Sequence, residues 1–100
     1  MERKITLAAP IPSHNGEITE LTLKLPRAKA WIQYGAPFTT IYEGTGTDAK
    51  QELRFNSKAM LSFLSDMSGV SASDLELLDG RDFHSLMYTV VAMVNGASPT

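Results

Sequence analysis

Apolar and polar residues alternate along two N-terminal segments, a pattern typical of strands with one buried face. The segments are residues 4–8 and 17–25, and in the second Leu21, Leu23 and Leu25 share one side. Segment 10–16 between them holds two prolines and ends in Asn-Gly, a strong turn signal. The pattern predicts an N-terminal β-hairpin, and Ile18, which is out of phase, is compatible with a bulge near the turn.

Helical periodicity takes over later in the chain. Pro26 suits the first turn of a short helix that ends near Gly35. From Asn56 onward one helical face carries Met60, Phe63, Leu64 and Met67. Ser71 predicts the capped start of a short helix, and a long C-terminal helix is predicted over about 79–95, with Gly96 as its stop.

The segment between residues 36 and 55 leaves two interpretations open. Residues 38–42 and 51–55 are strand-like, and the turn-rich stretch 44–48 separates them. This is compatible with a second hairpin at 38–55 or with a loop. The whole pattern predicts a single α+β domain over residues 1–100, with the N-terminal hairpin packed on three to four helices.

Composition then excludes several classes of protein. The chain is 43% apolar and 20% charged, carries a net charge of −2 and has no cysteine. It is therefore globular, without disulfides or thiolate metal sites. The loose basic group Lys24, Arg27 and Lys29 is interpreted as a solvated face, so we expect no nucleic-acid partner. No apolar run approaches a membrane span or a signal peptide, so we expect a cytosolic protein without a membrane partner.

No group of residues is typical of an active site or a cofactor site. His14 and His84 have no second histidine at metal-binding spacing, and Thr45-Gly46-Thr47 lacks the lysine of a phosphate-binding loop. Asp79 and Asp82 are interpreted as helix-start residues that favour the positive helix end. We therefore expect no catalytic residues, no metal and no cofactor.

The C-terminal helix has an unusual charge pattern, because every charged residue of the chain precedes Phe83. On a helical wheel the core stripe is Phe83, Met87, Val90 and Val94, flanked by Leu86, Met93 and Val91. A solvated helix normally carries Lys or Glu on its outer face. Either the domain surrounds this helix, or its outer face meets a partner or a second copy. The candidate partner-binding residues are His84, Ser85, Tyr88, Thr89, Ala92 and Met93.

Three segments in order carry a family resemblance. They are residues 18–26 (ITELTLKLP), 61–70 (LSFLSDMSGV) and 74–83 (DLELLDGRDF). Together they resemble the tail assembly chaperones of contractile-tailed phages and prophages, the group of phages Mu and P2. Residues 33–55 lack a counterpart in this resemblance, and Gly80 is unusual because glycine disfavours a helix start.

The resemblance implies a non-catalytic chaperone that binds the tape-measure protein during tail morphogenesis, with the tail tube protein as a second candidate partner. It implies action in the cytoplasm of the bacterial host and absence from the mature virion. Arg81 and Asp82 correspond to an Arg-Asp pair of the family and are interpreted as structural. The alternative is a small self-associating virion or connector protein, in which the same helix contacts its own copy as a homo-oligomer.

Overall fold

The computed structural model describes residues 2–13, 16–44 and 50–94. Its elements in these residues are β1 (Glu2–Ser13), β2 (Gly16–Lys24), α1 (Ala28–Tyr34), β3 (Phe38–Glu43), β4 (Lys50–Phe55), α2 (Ser57–Ser68), α3 (Ala72–Leu75) and α4 (Gly80–Val94). The strands form two antiparallel hairpins, β1–β2 and β3–β4. The predicted α+β class is confirmed, and the segment that was open between hairpin and loop is a hairpin. Of the predicted turns, Asn15 and residues 45–48 lie outside the described residues, as does the predicted stop at Gly96.

The first hairpin contains a bulge of several residues in β1. Thr6 pairs with Glu20 and Ile11 pairs with Ile18, so residues 7–10 of β1 lie opposite Thr19 alone. The bulge that the out-of-phase Ile18 predicted is therefore present. The extra residues of this bulge, however, lie in β1 and not in β2. Segment 10–13, expected in the turn, belongs to this strand. Pro10 lies in the bulge and Pro12 lies on an edge strand, and bulges and edge strands are where sheets accommodate proline.

The core lies between the first hairpin and the helices, with α2 at its centre. Phe63 of α2 is fully buried, and the rings of Trp31 and Tyr34 from α1 meet it edge-on at 5.2 and 6.1 Å. Asn56 caps α2 by accepting a hydrogen bond from the Ala59 amide at 3.2 Å. Gly69 ends the helix at φ 75°, a left-handed conformation that favours glycine. The predicted start and stop of this helix are confirmed.

The second hairpin attaches to the core through one apolar face. Cross-strand partners share a face, and here Phe38 pairs with Phe55 and Thr40 pairs with Leu53. Phe38 is buried, while Leu53 and Phe55 pack partly buried against the core. The molecule measures 53 × 28 × 28 Å, and its 14.8 Å radius of gyration exceeds the ~13 Å of a compact 100-residue domain. Such an elongated shape leaves room for one side of α4 to stay open.

Candidate partner-binding face of α4

Helix α4 packs the predicted apolar arc against the core, but it buries the flanks of this arc more deeply than its centre. Its buried residues are Asp82, Leu86, Val90, Val91 and Met93. Of the predicted core stripe only Val90 is buried, whereas Phe83, Met87 and Val94 are half-buried. The deeply buried side also includes Asp82, whose carboxylate is bound by β1. A hydrophobic pattern cannot reveal this, since it counts an aspartate as a solvent-facing residue.

The structure places five of the six predicted binding residues at the surface of α4. His84, Ser85 and Tyr88 are exposed, and Thr89 and Ala92 are half-buried. The placement of Met93 on this face was wrong, because Met93 is buried in the core. Met93 follows Leu86 by seven residues, about two helical turns, and therefore lies above it on the core side. The remaining five residues are uncharged.

An aromatic row crosses this face and includes a residue that the sequence did not single out. The ring of Tyr88 lies 5.1 Å from His84 and 5.3 Å from Phe55 of β4, edge-on to both. Such contacts each add about 0.5–1.5 kcal/mol beyond area burial. Tyr88 is nevertheless 48% exposed, so its ring is both held in place and accessible. Phe55 was missed because it lies in the segment whose structure was left open.

Asp82 joins α4 to the first hairpin. It is buried, and its two carboxylate oxygens accept the amides of Ala8 at 2.9 Å and Ala9 at 3.1 Å. These amides belong to the bulge, where the ladder between β1 and β2 is interrupted. Asp82 does occupy the first turn of α4 as predicted. Its carboxylate, however, satisfies β1 rather than the start of its own helix.

Asp79 and Arg81 form the start of α4. Asp79 Oδ1 accepts hydrogen bonds from the Arg81 amide at 2.8 Å and from Arg81 Nε at 3.2 Å. These bonds hold the pKa of Asp79 below its usual value, and the carboxylate raises the pKa of Arg81. Arg81 therefore pairs with Asp79, two residues earlier, rather than with its neighbour Asp82.

An open cleft lies beside the N-terminal end of α4. Its volume is about 480 Å³. It is bounded by Ser57, Lys58, Leu61, Leu75, Glu76, Leu78, Gly80 and Phe83. Most of the large side chains in this lining are apolar. Within the described residues, no three His, Cys, Asp or Glu side chains are grouped to hold a metal ion.

These features define the class of the protein as a small α+β protein with an uncharged, partly exposed face on α4 and a mostly apolar cleft beside it. The family model described as "Phage tail assembly chaperone proteins, E, or 41 or 14" matches residues 4–95, and the chain belongs to this family. The match confirms the resemblance and includes segment 33–55. No curated protein and no solved structure matches the chain. Among the described helices, none has the length and apolar character needed to cross a membrane.

Proposed function

We propose that this tail assembly chaperone binds the tape-measure protein through the outer face of α4. The observation that supports this most is the uncharged, accessible aromatic row on α4. Interface centres are depleted of charged residues and enriched in tyrosine. Ordered aromatic side chains lose little entropy on binding, which makes Tyr88 the best candidate for the centre of the contact.

The shape of this face fits a helical client. Helix α4 has 15 residues and is therefore about 22 Å long, with Ser85, Tyr88 and Ala92 spaced along one side. An amphipathic helix of the client would lie along this side and bury its apolar stripe. The proposal places this binding in the cytoplasm of the bacterial host, before the tail is complete. The tail tube protein is the second client that the family role suggests.

Co-expression with the tape-measure protein tests the proposal. Ser85 is exposed on α4, so Ser85→Glu adds a charge to the face without disturbing the core. We expect at least tenfold weaker capture of the tape-measure protein by Ser85→Glu and by Tyr88→Glu. Thr19→Glu is the matched control, because it adds the same charge at an exposed position of β2 and should bind normally. Normal binding by both α4 variants would contradict the proposed face.

The proposed role also predicts that the protein is absent from the assembled particle. A chaperone that leaves during assembly is absent from purified virions, whereas a structural or connector protein is present at a fixed number of copies. Mass spectrometry of purified particles measures this directly. Recovery of the chain at a stoichiometry comparable to a tail subunit would contradict the chaperone role and favour the structural alternative.

A further inference from the structure

The β3–β4 hairpin covers one flank of α4. The ring of Phe55 from β4 meets the ring of Tyr88 edge-on, with 5.3 Å between the ring centres. Val91 lies one helical turn from Tyr88 and is buried, although it lies about 100° around the helix from Val90 in the core stripe. Leu53 and Phe55 pack against the apolar cluster that contains Val91. This flank of α4 is therefore covered by the domain itself, and the hairpin supplies part of the cover.

The hairpin is attached to the molecule by a small apolar contact. Among its described side chains only Phe38 is buried, while Leu53 and Phe55 are half-buried. An open depression of about 220 Å³ borders both Phe38 and Phe55, so their rings are not enclosed on that side. A two-stranded hairpin alone has marginal stability in water. The closed position of the hairpin therefore depends on few contacts, and loss of one of them should open it more often.

The two ends of the hairpin are fixed together at its base. The Asn56 amide donates a hydrogen bond to the Pro37 carbonyl at 2.9 Å, and Pro37 is buried. The side chain of Asn56 also caps α2 by accepting a hydrogen bond from the Ala59 amide. Neither bond involves α4 or the paired residues of the two strands. The strands can therefore move away from α4 while the base, α2 and the main core stay in place.

The flank beside the hairpin continues the candidate binding face of α4. Around the helix, Val91 lies on one side of Tyr88 and Ala92 lies on the other. From Phe83 onward the chain has no Asp, Glu, Lys or Arg, so an apolar partner meets no such side chain of α4 along this strip. With the hairpin closed, Tyr88 is accessible but Val91 is not. Opening of the hairpin would widen the face into an apolar strip that includes Val91.

We propose that the client helix displaces the β3–β4 hairpin from α4 and binds the strip that this movement uncovers. The displacement rests on the proposed function, because its occupant is the apolar stripe of the client proposed there. Phe55 itself shows the chemistry that the site accepts, which is an apolar side chain at the edge of the Tyr88 ring. A client side chain takes this place, and its neighbours cover Val91. The hairpin is then an internal competitor that limits association of the free chaperone through exposed apolar surface.

Competition between the hairpin and the client fixes the sign of a mutational effect. When a site is open in only a fraction of the molecules, its apparent affinity is reduced by that fraction. Phe55→Ala removes one edge-on ring contact from the closed state, which corresponds to about a two- to tenfold shift of the equilibrium toward the open state. We therefore expect Phe55→Ala to bind the client about two- to tenfold more tightly. A client that packs on a closed hairpin would instead bind this variant more weakly.

A competition experiment measures this change in affinity. Wild type and Phe55→Ala are co-expressed with a limiting amount of tagged tape-measure protein, and mass spectrometry of the captured complex gives the ratio of the two forms, corrected for their total amounts. Thr39→Ala is the matched control, because Thr39 is exposed on the opposite face of the same hairpin. This control should be captured in the same proportion as the wild type. Thermal unfolding of each variant checks that the domain is folded.

Hydrogen exchange of the purified complex gives an independent readout with the wild-type chain. We expect the paired amides of β3–β4 to exchange at least tenfold faster in the complex than in the free chaperone, because the hairpin has lost its place on α4. The amides of β1–β2 around Leu21 and Leu23 should exchange at the same rate in both. A client that adds itself to a closed hairpin would instead slow the exchange of β3–β4.

Either of two results would overturn the displacement. One is capture of Phe55→Ala in a proportion equal to or lower than that of the wild type. The other is exchange of the β3–β4 amides in the complex at a rate equal to or lower than in the free chaperone. Failure of the proposed function gives a different pattern, in which Ser85→Glu and Tyr88→Glu bind the client normally and the client leaves the exchange of α4 unchanged.

Discussion

At the scale of single residues, Asp82 shows how a buried charge can be structural. Its carboxylate is removed from water but accepts two backbone amides, which is the kind of pairing that makes burial of a charge tolerable. The partners, Ala8 and Ala9, lie more than 70 residues earlier in the chain. The sequence places Asp82 correctly at a helix start. It cannot show that a bulge in β1 lies against that helix.

Removing this carboxylate should destabilise the fold strongly. Asp82→Ala leaves two amides without acceptors, and each such loss costs about 1–3 kcal/mol. We expect the free energy of unfolding to fall by about 2–6 kcal/mol, measured by urea denaturation. Asp82→Asn keeps one acceptor oxygen and should cost less. Asp66→Ala, at an exposed position of α2, is the control. If Asp82→Ala lowers the free energy of unfolding as little as Asp66→Ala does, the proposed role of Asp82 is wrong.

Asp79 should give the fold an acid-side pH dependence. Its usual pKa is 3.8, and the hydrogen bonds from Arg81 lower this pKa in the folded state. The unfolded state then binds the proton more readily, so the stabilising contribution is fully present above about pH 4 and is lost as pH falls through the folded pKa. The difference in unfolding free energy between wild type and Asp79→Asn should therefore shrink below pH 4. In an Arg81→Gln background, the effect of Asp79→Asn on the unfolding free energy should be smaller at all pH values. An effect of Asp79→Asn in the wild type that stays constant down to pH 2 would contradict this expectation.

At the scale of elements, the sequence predicted those whose determinants are local. The cap at Asn56 and the left-handed Gly69 are short-range features, so the bounds of α2 followed from its own residues. The extent of β1 did not. Pro10 and Pro12 favour a turn when considered alone, and only the bulge and the open edge of a two-stranded sheet let the strand continue through them. The sequence could not decide between a hairpin and a loop for residues 38–55, because these strands are stabilised by attachment to the core.

The same distinction applies to the candidate binding face. The helical wheel put His84, Ser85, Tyr88, Thr89 and Ala92 opposite the apolar arc, and the structure leaves these five residues exposed or half-buried. Whether the domain or a partner covers an uncharged face depends on tertiary packing. The structure shows partial cover by the domain itself, since Val91 is buried and Phe55 lies against Tyr88. The contribution of Phe55 required the β3–β4 hairpin, which no pattern within α4 can reveal.

At the scale of the whole molecule, the two hairpins differ in how firmly they are held. The β1–β2 hairpin contributes Leu7, Ile11, Leu21 and Leu23 to the buried core, and Asp82 binds it as well. Among its described side chains, the β3–β4 hairpin contributes one buried residue, Phe38, and otherwise packs through Leu53 and Phe55. Few buried apolar contacts mean a low free energy of local opening. The second hairpin should therefore open without the rest of the molecule.

Native-state hydrogen exchange can measure this difference. We expect paired amides of β3–β4 to exchange at least tenfold faster than those of β1–β2 around Leu21 and Leu23, because local opening of the second hairpin leaves the main core intact. Phe55→Ala removes the contact with Tyr88 and should accelerate exchange in β3–β4 while leaving β1–β2 unchanged. Thr39→Ala, on the opposite face of the same hairpin, is the matched control. Equal exchange rates in both hairpins would mean that the molecule opens as one unit. If Phe55→Ala accelerates exchange in β1–β2 as much as in β3–β4, Phe55 is not a separate attachment of the second hairpin to α4.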